Sequence, residues 1–435
     1  MSFLSLGLKP EIQRALTAIG YVTPTPIQLA VIPKIQAGKD ILANAETGTG
    51  KTAAFALPLI EMITSADDSS DHEGGIDANP LTVLIMTPTR ELAIQIEQNI
   101  VQFSQFLPIK SVAVYGGASI RPQLTAISQG VNILVATPGR LFDIVGQHDL
   151  SLASVKYLVI DEADRMLDLG FVKDIEKVKR LINRDHQTMM FSATFSDEIK
   201  LLADDMLISP EHINVATTTT AATVTQLAYQ VDQRRKAELL SELIGKHNWQ
   251  QVMVFTSRKE TADHLQKELS LDGIKSAVFH GDKSQGARNK ALEEFKSGKL
   301  RVLVATDLAA RGLDIQALPR VINFELPEEP EDYVHRIGRT GRAGLAGEAI
   351  SLVSPQEQEC LEAIEAVIQQ RLVLTSIAGY EQGAPLPARY RELASDPTKT
   401  KQVKKHARPN RNNRSGQFDK DSAKPQRHGK YSKKK

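Results

Sequence analysis

The stretch NILVATPGR at residues 132–140 returns, one methylene apart in its core, as RVLVATDLAAR at residues 301–311. The preceding segments match as well: VAVYGG (112–117) and a helical stretch lead into the first copy, SAVFHG (276–281) and a helical stretch into the second. Short, continuously apolar runs separated by helices are the pattern of parallel strands buried on both faces. The echo therefore predicts two similar α/β lobes in one chain. It also places Thr137 and Thr306 at the same point of each lobe, the C-terminal end of corresponding strands, where open parallel sheets bind ligands.

Working outward, further strands are expected in DILAN (40–44), TVLIMT (82–87), KYLVID (156–161) and TMMFSAT (188–194), then in QVMVFT (251–256) and RVINFE (320–325). Between the two series lies INVATTTTAATVTQ (213–226), rich in Thr and Ala, which reads as an interdomain linker. The expected division is an N-terminal domain over 1–212, the linker, a C-terminal domain over 227–372, and an extension over 373–435. Residues 64–80 read as a surface loop of the first domain. The 435 residues suffice for this arrangement. Apolar runs such as VLIM (83–86) are too short to cross a bilayer, and the N-terminal stretch has no signal-peptide pattern, so a cytoplasmic protein with no membrane partner is expected. A single cysteine, Cys360, excludes an intrachain disulfide or a cysteine metal cluster; neither it nor Trp249 is given a role.

Charge is unevenly spread. Residues 399–435 carry 14 Lys and Arg against Asp419 and Asp421, a net +12, which leaves 1–398 at −11. With so few apolar residues this tail is expected to be disordered and to act as a nonspecific RNA or DNA tether through phosphate contacts.

The chemistry begins at AETGTGKT (45–52), which follows one strand and opens a helix, the arrangement of a phosphate-binding loop. Gly48 and Gly50 let successive N–H groups face phosphate oxygens, with Glu46, Thr47 and Thr49 completing the loop. Lys51 is placed for the β- and γ-phosphates and Thr52 for the Mg²⁺ sphere. Ala45 stands where the consensus has its first glycine. KYLVIDEADRML (156–167) then ends a buried strand in two carboxylates. Asp161 suits a hard cation, and Glu162 can orient and deprotonate an attacking water. No guanine-reading NKxD motif occurs, whereas Gln28 in GYVTPTPIQ (20–28) can pair with adenine N6 and N7 while Tyr21 stacks on the ring. HRIGRTGR (335–342) leaves three options open: a grip on nucleic acid, stabilisation of a phosphoryl group, or a solvated turn.

Taken in order, these segments with PTRELA (88–93), GG (116–117), TPGR (137–140), SAT (192–194), QGAR (285–288) and ATDLAARGLDI (305–315) resemble the motif set of DEAD-box ATP-dependent RNA helicases over about residues 3–345. DEADRMLDLGF and the short basic tail are most similar to the bacterial RhlE type. The resemblance implies two tandem RecA-like domains that close over ATP and RNA, with Mg²⁺ as cofactor. It implies Phe3 as an upstream aromatic of the adenine site, Asp314 on the ribose, and Ser192 and Thr194 as the coupling between nucleotide and RNA. Pro88, Arg90, Gly117, Thr137, Arg140, Arg288 and Thr306 become RNA-backbone contacts. Arg339 and Arg342 face the γ-phosphate, His335 joins the network near the DEAD carboxylates, and Arg336 is unassigned. The implied activity is RNA-stimulated ATP hydrolysis coupled to unwinding of short duplexes or RNA–protein remodelling. An ATP-dependent RNA clamp or scaffold is the alternative. Ribosome-assembly and RNA-decay partners are both compatible with it.

Overall fold

Two seven-stranded parallel sheets carry the chain, and their strands run in the same spatial order. In the computed structural model, residues 2–45, 48–68, 80–148, 150–215, 224–310, 313, 315, 318–341 and 347–385 are described. The first sheet comprises β1 (Ile41–Asn44), β2 (Val83–Met86), β3 (Ser111–Val114), β4 (Ile133–Ala136), β5 (Tyr157–Ile160), β6 (Gln187–Ser192) and β7 (Glu211–Asn214). The second comprises β8 (Val224–Gln230), β9 (Val252–Thr256), β10 (Ser276–Phe279), β11 (Val302–Thr306), β12 (Arg320–Asn323), β13 (Gly347–Val353) and β14 (Leu374–Ser376). The orders are β3-β4-β2-β5-β6-β1-β7 and β10-β11-β9-β12-β13-β8-β14, so every strand of the first sheet has a counterpart seven places later.

Period-two alternation explains the burial. Val83 and Ile85 of β2 join one apolar cluster with Val135, Val159 and Phe191, while Leu84 and Met86 join another on the opposite face with Leu134, Leu158 and Ile160. The second sheet repeats this, with Val252 and Val254 on one face and Met253 and Phe255 on the other. Both faces being covered, neither strand series can carry a polar side, and it reads as an uninterrupted apolar run. The repetition extends to hydroxyls: Thr87 donates to the Thr89 carbonyl at 3.2 Å, and Thr256 donates to the Arg258 carbonyl at 3.2 Å.

Thr137 directly follows β4 and Thr306 ends its counterpart β11, which is the equivalence the sequence echo predicts. The expected linker is shorter than 213–226, because Ile213 and Asn214 belong to β7 and Val224 to Gln226 open β8. Residues 64–68 extend the helix Lys51–Asp68 rather than starting a loop. The second sheet also continues past 372: β14 pairs with β8, and Tyr380 packs into the core. Both sheets lie in one unit, Met1–Ala384, and the tail expected to be disordered lies outside the described residues. No helix among the described residues is long and apolar enough to cross a membrane.

Candidate active site between the two lobes

The helix Lys51–Asp68 starts directly after the glycine loop, which fixes Lys51 at its first position. The Lys51 Nζ lies 3.7 Å from the Asp161 carboxylate, and both groups are buried. Asp161 is the first residue past β5. Its carboxylate accepts the Glu162 N–H at 3.1 Å, and Glu162 takes a left-handed conformation at φ 53°. A non-glycine residue held there costs of order 1–3 kcal/mol and marks a position whose geometry the surroundings impose. Burial raises the pKa of both carboxyls; Lys51 opposes the shift in each, and Arg339 adds a smaller opposing pull at Glu162.

Gln28 is buried beside this loop. Its amide oxygen accepts the Thr25 N–H at 2.9 Å and its amide nitrogen donates to the Gly50 carbonyl at 3.1 Å. Gly50, at φ 95°, leaves no room for a side chain, since a Cβ would lie 2.5 Å from the Gln28 amide nitrogen. Gln28 and the glycine loop are thus one hydrogen-bonded unit, with one amide proton and one lone pair of Gln28 outside these two bonds. Tyr21 stands half-exposed, edge-on to Phe103 at 5.8 Å, while Phe3 is buried in the core with its ring 6.5 Å from Tyr21.

Two cavities meet at the centre. The smaller, about 250 Å³, is lined by Tyr21, Gly48, Gly50, Lys51 and Thr52 together with Arg339 of the second lobe. The larger, about 860 Å³, has Asp164, Thr194, His335 and Arg339 among its lining. Lys51, Glu162 and Arg339 border both. Arg339 is buried, donating to the Leu313 carbonyl at 2.6 Å, and His335 pairs with Asp332 at 3.7 Å. Glu46, Thr47, Asp314 and Arg342 lie outside the described residues.

A model of the DEAD/DEAH box helicases matches residues 25–202, and one of the helicase conserved C-terminal domain matches residues 235–344. The chain is 39% identical over 373 residues to the DEAD-box ATP-dependent RNA helicase CshA of Bacillus subtilis, which covers 86% of this chain and 73% of that protein. It belongs to the DEAD-box helicases. The two sheets of this DEAD-box chain are accordingly tandem RecA-like lobes. Among solved structures it is similar to S. cerevisiae Dbp5 bound to RNA and ADP BeF3, at TM-score 0.73 and 29% identity over 86% of this chain and 95% of that one. DEAD-box helicase Mss116 bound to ssRNA and UDP-BeF gives TM-score 0.76 at 26% identity, over 87% and 80%. The CshA relatives lend no support to the RhlE-type expectation.

The DEAD segment itself holds a residue that sequence reading passed over. Asp164 accepts the Ala193 and Thr194 N–H groups at 3.0 and 3.2 Å, tying the DEAD turn to the SAT segment. A carboxylate in the first turn of a helix reads as a favourable dipole contact, which hid this second duty. Ser192 ends β6 fully buried, and its carbonyl accepts the Ala45 N–H at 3.0 Å.

The expected RNA-contact residues of the first lobe gather on one side. Arg90 packs over Gly117, where a Cβ would lie 2.0 Å from its guanidinium, and Arg140 donates to the Ala118 carbonyl at 2.9 Å from the helix that Thr137 caps. Pro88 lies shortly before Arg90 and is buried. Arg288 departs from expectation. Its guanidinium lies 2.9 Å from the Glu91 carboxylate of the first lobe, both groups being buried, and Gln285 donates to the same carboxylate at 2.9 Å. A buried guanidinium needs a carboxylate, and Glu91 supplies it across the lobes. Arg336 is likewise spent inside the second lobe, bidentate to Asp307 at 2.5 and 2.6 Å.

If the Glu91–Arg288 pair holds the lobes together, Glu91→Lys sets two cations against each other at a buried contact. RNA-stimulated ATP turnover is then expected to fall at least ~10-fold, since breaking a buried pair costs about 3–5 kcal/mol. The exchange Glu91→Arg with Arg288→Glu restores it. Steady-state ATP hydrolysis at saturating RNA checks both, and failure of the exchange to recover activity assigns Arg288 to another partner.

Proposed function

We propose that this chain is an ATP-dependent RNA helicase that couples RNA-stimulated ATP hydrolysis to local separation of short duplexes or to RNA–protein remodelling. The observation that carries this reading is the meeting of Lys51, Asp161 and Glu162 of the first lobe with His335 and Arg339 of the second around shared cavities. In this reading Gln28 reads adenine and Tyr21 stacks on it, with Phe3 supporting Tyr21 from the core. The loop residues 46–50 and Lys51 hold the phosphates, and Asp314 holds the ribose. Glu162 takes a proton from the water whose oxygen attacks the γ-phosphorus; the bridging P–O bond breaks and ADP leaves. Arg339 and Arg342 balance charge that develops on the transferred group.

The carboxylate of Asp161 and the hydroxyl of Thr52 are hard oxygen donors, which suits the way Mg²⁺ is held by one or two carboxylates plus substrate phosphates. Asp161 and Thr52 would hold such an ion, with substrate phosphate and water as its further ligands. Bound there, the ion would neutralise negative charge on the substrate phosphates.

RNA lies across Pro88, Arg90, Gly117, Thr137 and Arg140 of the first lobe and Thr306 of the second, held through phosphates and 2′-hydroxyls without sequence preference. Ser192 and Thr194 sit between the two ligands, and Asp164 fastens that segment to the DEAD turn. RNA and ATP each favour the closed arrangement, so each strengthens binding of the other. The basic tail tethers RNA nonspecifically, in a cytoplasmic protein acting in ribosome assembly or RNA decay.

The test is ATP hydrolysis with and without RNA, alongside displacement of a short labelled duplex. RNA should raise turnover and ATP should be required for displacement. Equal stimulation by DNA defeats the RNA assignment, and ATP-dependent RNA retention without displacement favours a clamp.

A further inference from the structure

The matching strand order invites a question about the second lobe: what stands where the first lobe has its phosphate site? The helix after β1 begins at Lys51, and the helix after β8, the counterpart of β1, begins at Lys236 (Lys236–Lys246). Lys51 reaches Asp161, the first residue past β5. Lys236 reaches Phe324, the first residue past β12, the counterpart of β5, and donates to its carbonyl at 2.9 Å. The two lysines thus occupy equivalent positions and extend in equivalent directions.

Their surroundings differ. Lys236 is fully buried and paired with the carboxylate of Glu357. Glu357 comes from the segment after β13, the counterpart of the β6 end that leads into Ala193 and Thr194. The same carboxylate accepts the Ser354 N–H at 2.8 Å, the Ser354 hydroxyl at 2.6 Å and the Leu326 N–H at 2.9 Å. A lysine, a hydroxyl and two backbone N–H groups are the donor types that a nucleotide phosphate finds in a phosphate-binding loop. Burial works against the Glu357 carboxylate, yet Lys236 and Ser354 outweigh it and hold its pKa below the usual glutamate value.

We infer that the second lobe retains an oxyanion pocket of the phosphate type, and that the Glu357 carboxylate fills it as a permanent internal occupant. The ligand class the pocket takes once that carboxylate is removed is a small tetrahedral oxyanion, inorganic phosphate or sulfate. In the native chain this occupant neutralises Lys236 without any ligand. The second lobe therefore keeps its shape, and presents His335 and Arg339, whether or not nucleotide is bound to the first.

Trp249 makes this measurable in the full-length chain. It is the sole tryptophan, it is buried in the second lobe, and Arg320 lies 4.9 Å from its ring, so its fluorescence follows unfolding of that lobe. Thermal transitions are read with ADP present throughout, so that the first-lobe site is occupied. Glu357→Ala should lower the Trp249 transition by roughly 10 °C, because it leaves Lys236 buried and unpaired. Inorganic phosphate should recover at least half of that loss. The native chain and the double variant Lys236→Met with Glu357→Ala should not respond. A Glu357→Ala transition indifferent to phosphate, or a double variant that responds equally, overturns the inference and leaves an ordinary buried ion pair. If Glu357→Ala does not accumulate folded, refolding from urea gives the same decision. Recovery only with phosphate supports the pocket, and recovery unaffected by phosphate, or none at all, removes it.

Discussion

Arg339→Ala is expected to lower RNA-stimulated ATP turnover by about 10³–10⁵-fold, the range arginine fingers contribute elsewhere. Nucleotide-free RNA affinity should stay near that of the native chain. The reason is positional. Arg339 borders both cavities with Lys51 and Glu162, yet it belongs to the second lobe and is buried there, held by the Leu313 carbonyl. It can act on a phosphate bound by the first lobe only while the lobes are together. Basal hydrolysis without RNA should therefore suffer far less than stimulated hydrolysis. Arg339→Lys keeps the charge but loses the planar fork, and should recover little. Single-turnover hydrolysis at saturating RNA and anisotropy of labelled RNA separate the effects. A matched fall in RNA affinity would return HRIGRTGR to a plain basic grip on nucleic acid.

Glu162→Gln should remove about 10²–10⁴ of the turnover, the usual share of a general base, while ATP still binds. Gln keeps the shape and left-handed backbone of Glu162 but cannot take a proton. The distinction from Arg339→Ala lies in the RNA dependence. Loss of the base acts on the chemical step with or without RNA, so both rates should fall together. An RNA-stimulated rate close to native assigns water activation to another group. The same variant separates helicase from clamp, since a clamp keeps its cellular activity when turnover is gone.

Much of this was legible in the residues. The near-identity of ILVAT and VLVAT anticipated two sheets of one topology, because strands covered on both faces admit only apolar residues and leave a recognisable run. Lys51 and Asp161 were legible for a related reason: a glycine loop and an acidic strand end are local patterns. Strands β8 and β13 were passed over. Their alternating or Gly-led sequences, VTQLAYQ and GEAISLV, resemble a linker and a turn until pairing with each other buries them. Arg288 reads as an RNA contact only through the family resemblance, and its partner Glu91 is set by tertiary placement, not by neighbouring residues. Asp164 and Lys236 were missed likewise: Asp164 acts on residues almost thirty positions away and Lys236 on one more than a hundred away, and only the fold brings them close.

The short chain segment between Asn214 and Val224 has a thermodynamic consequence. A covalent connection of this length keeps one lobe at an effective concentration on the order of millimolar relative to the other. In the proposed cycle, contacts such as Glu91–Arg288 then need contribute only a modest free energy to bring opening and closing near balance. Near that balance, ligand binding energy of about 1–3 kcal/mol shifts most of the population, and its loss after hydrolysis shifts it back.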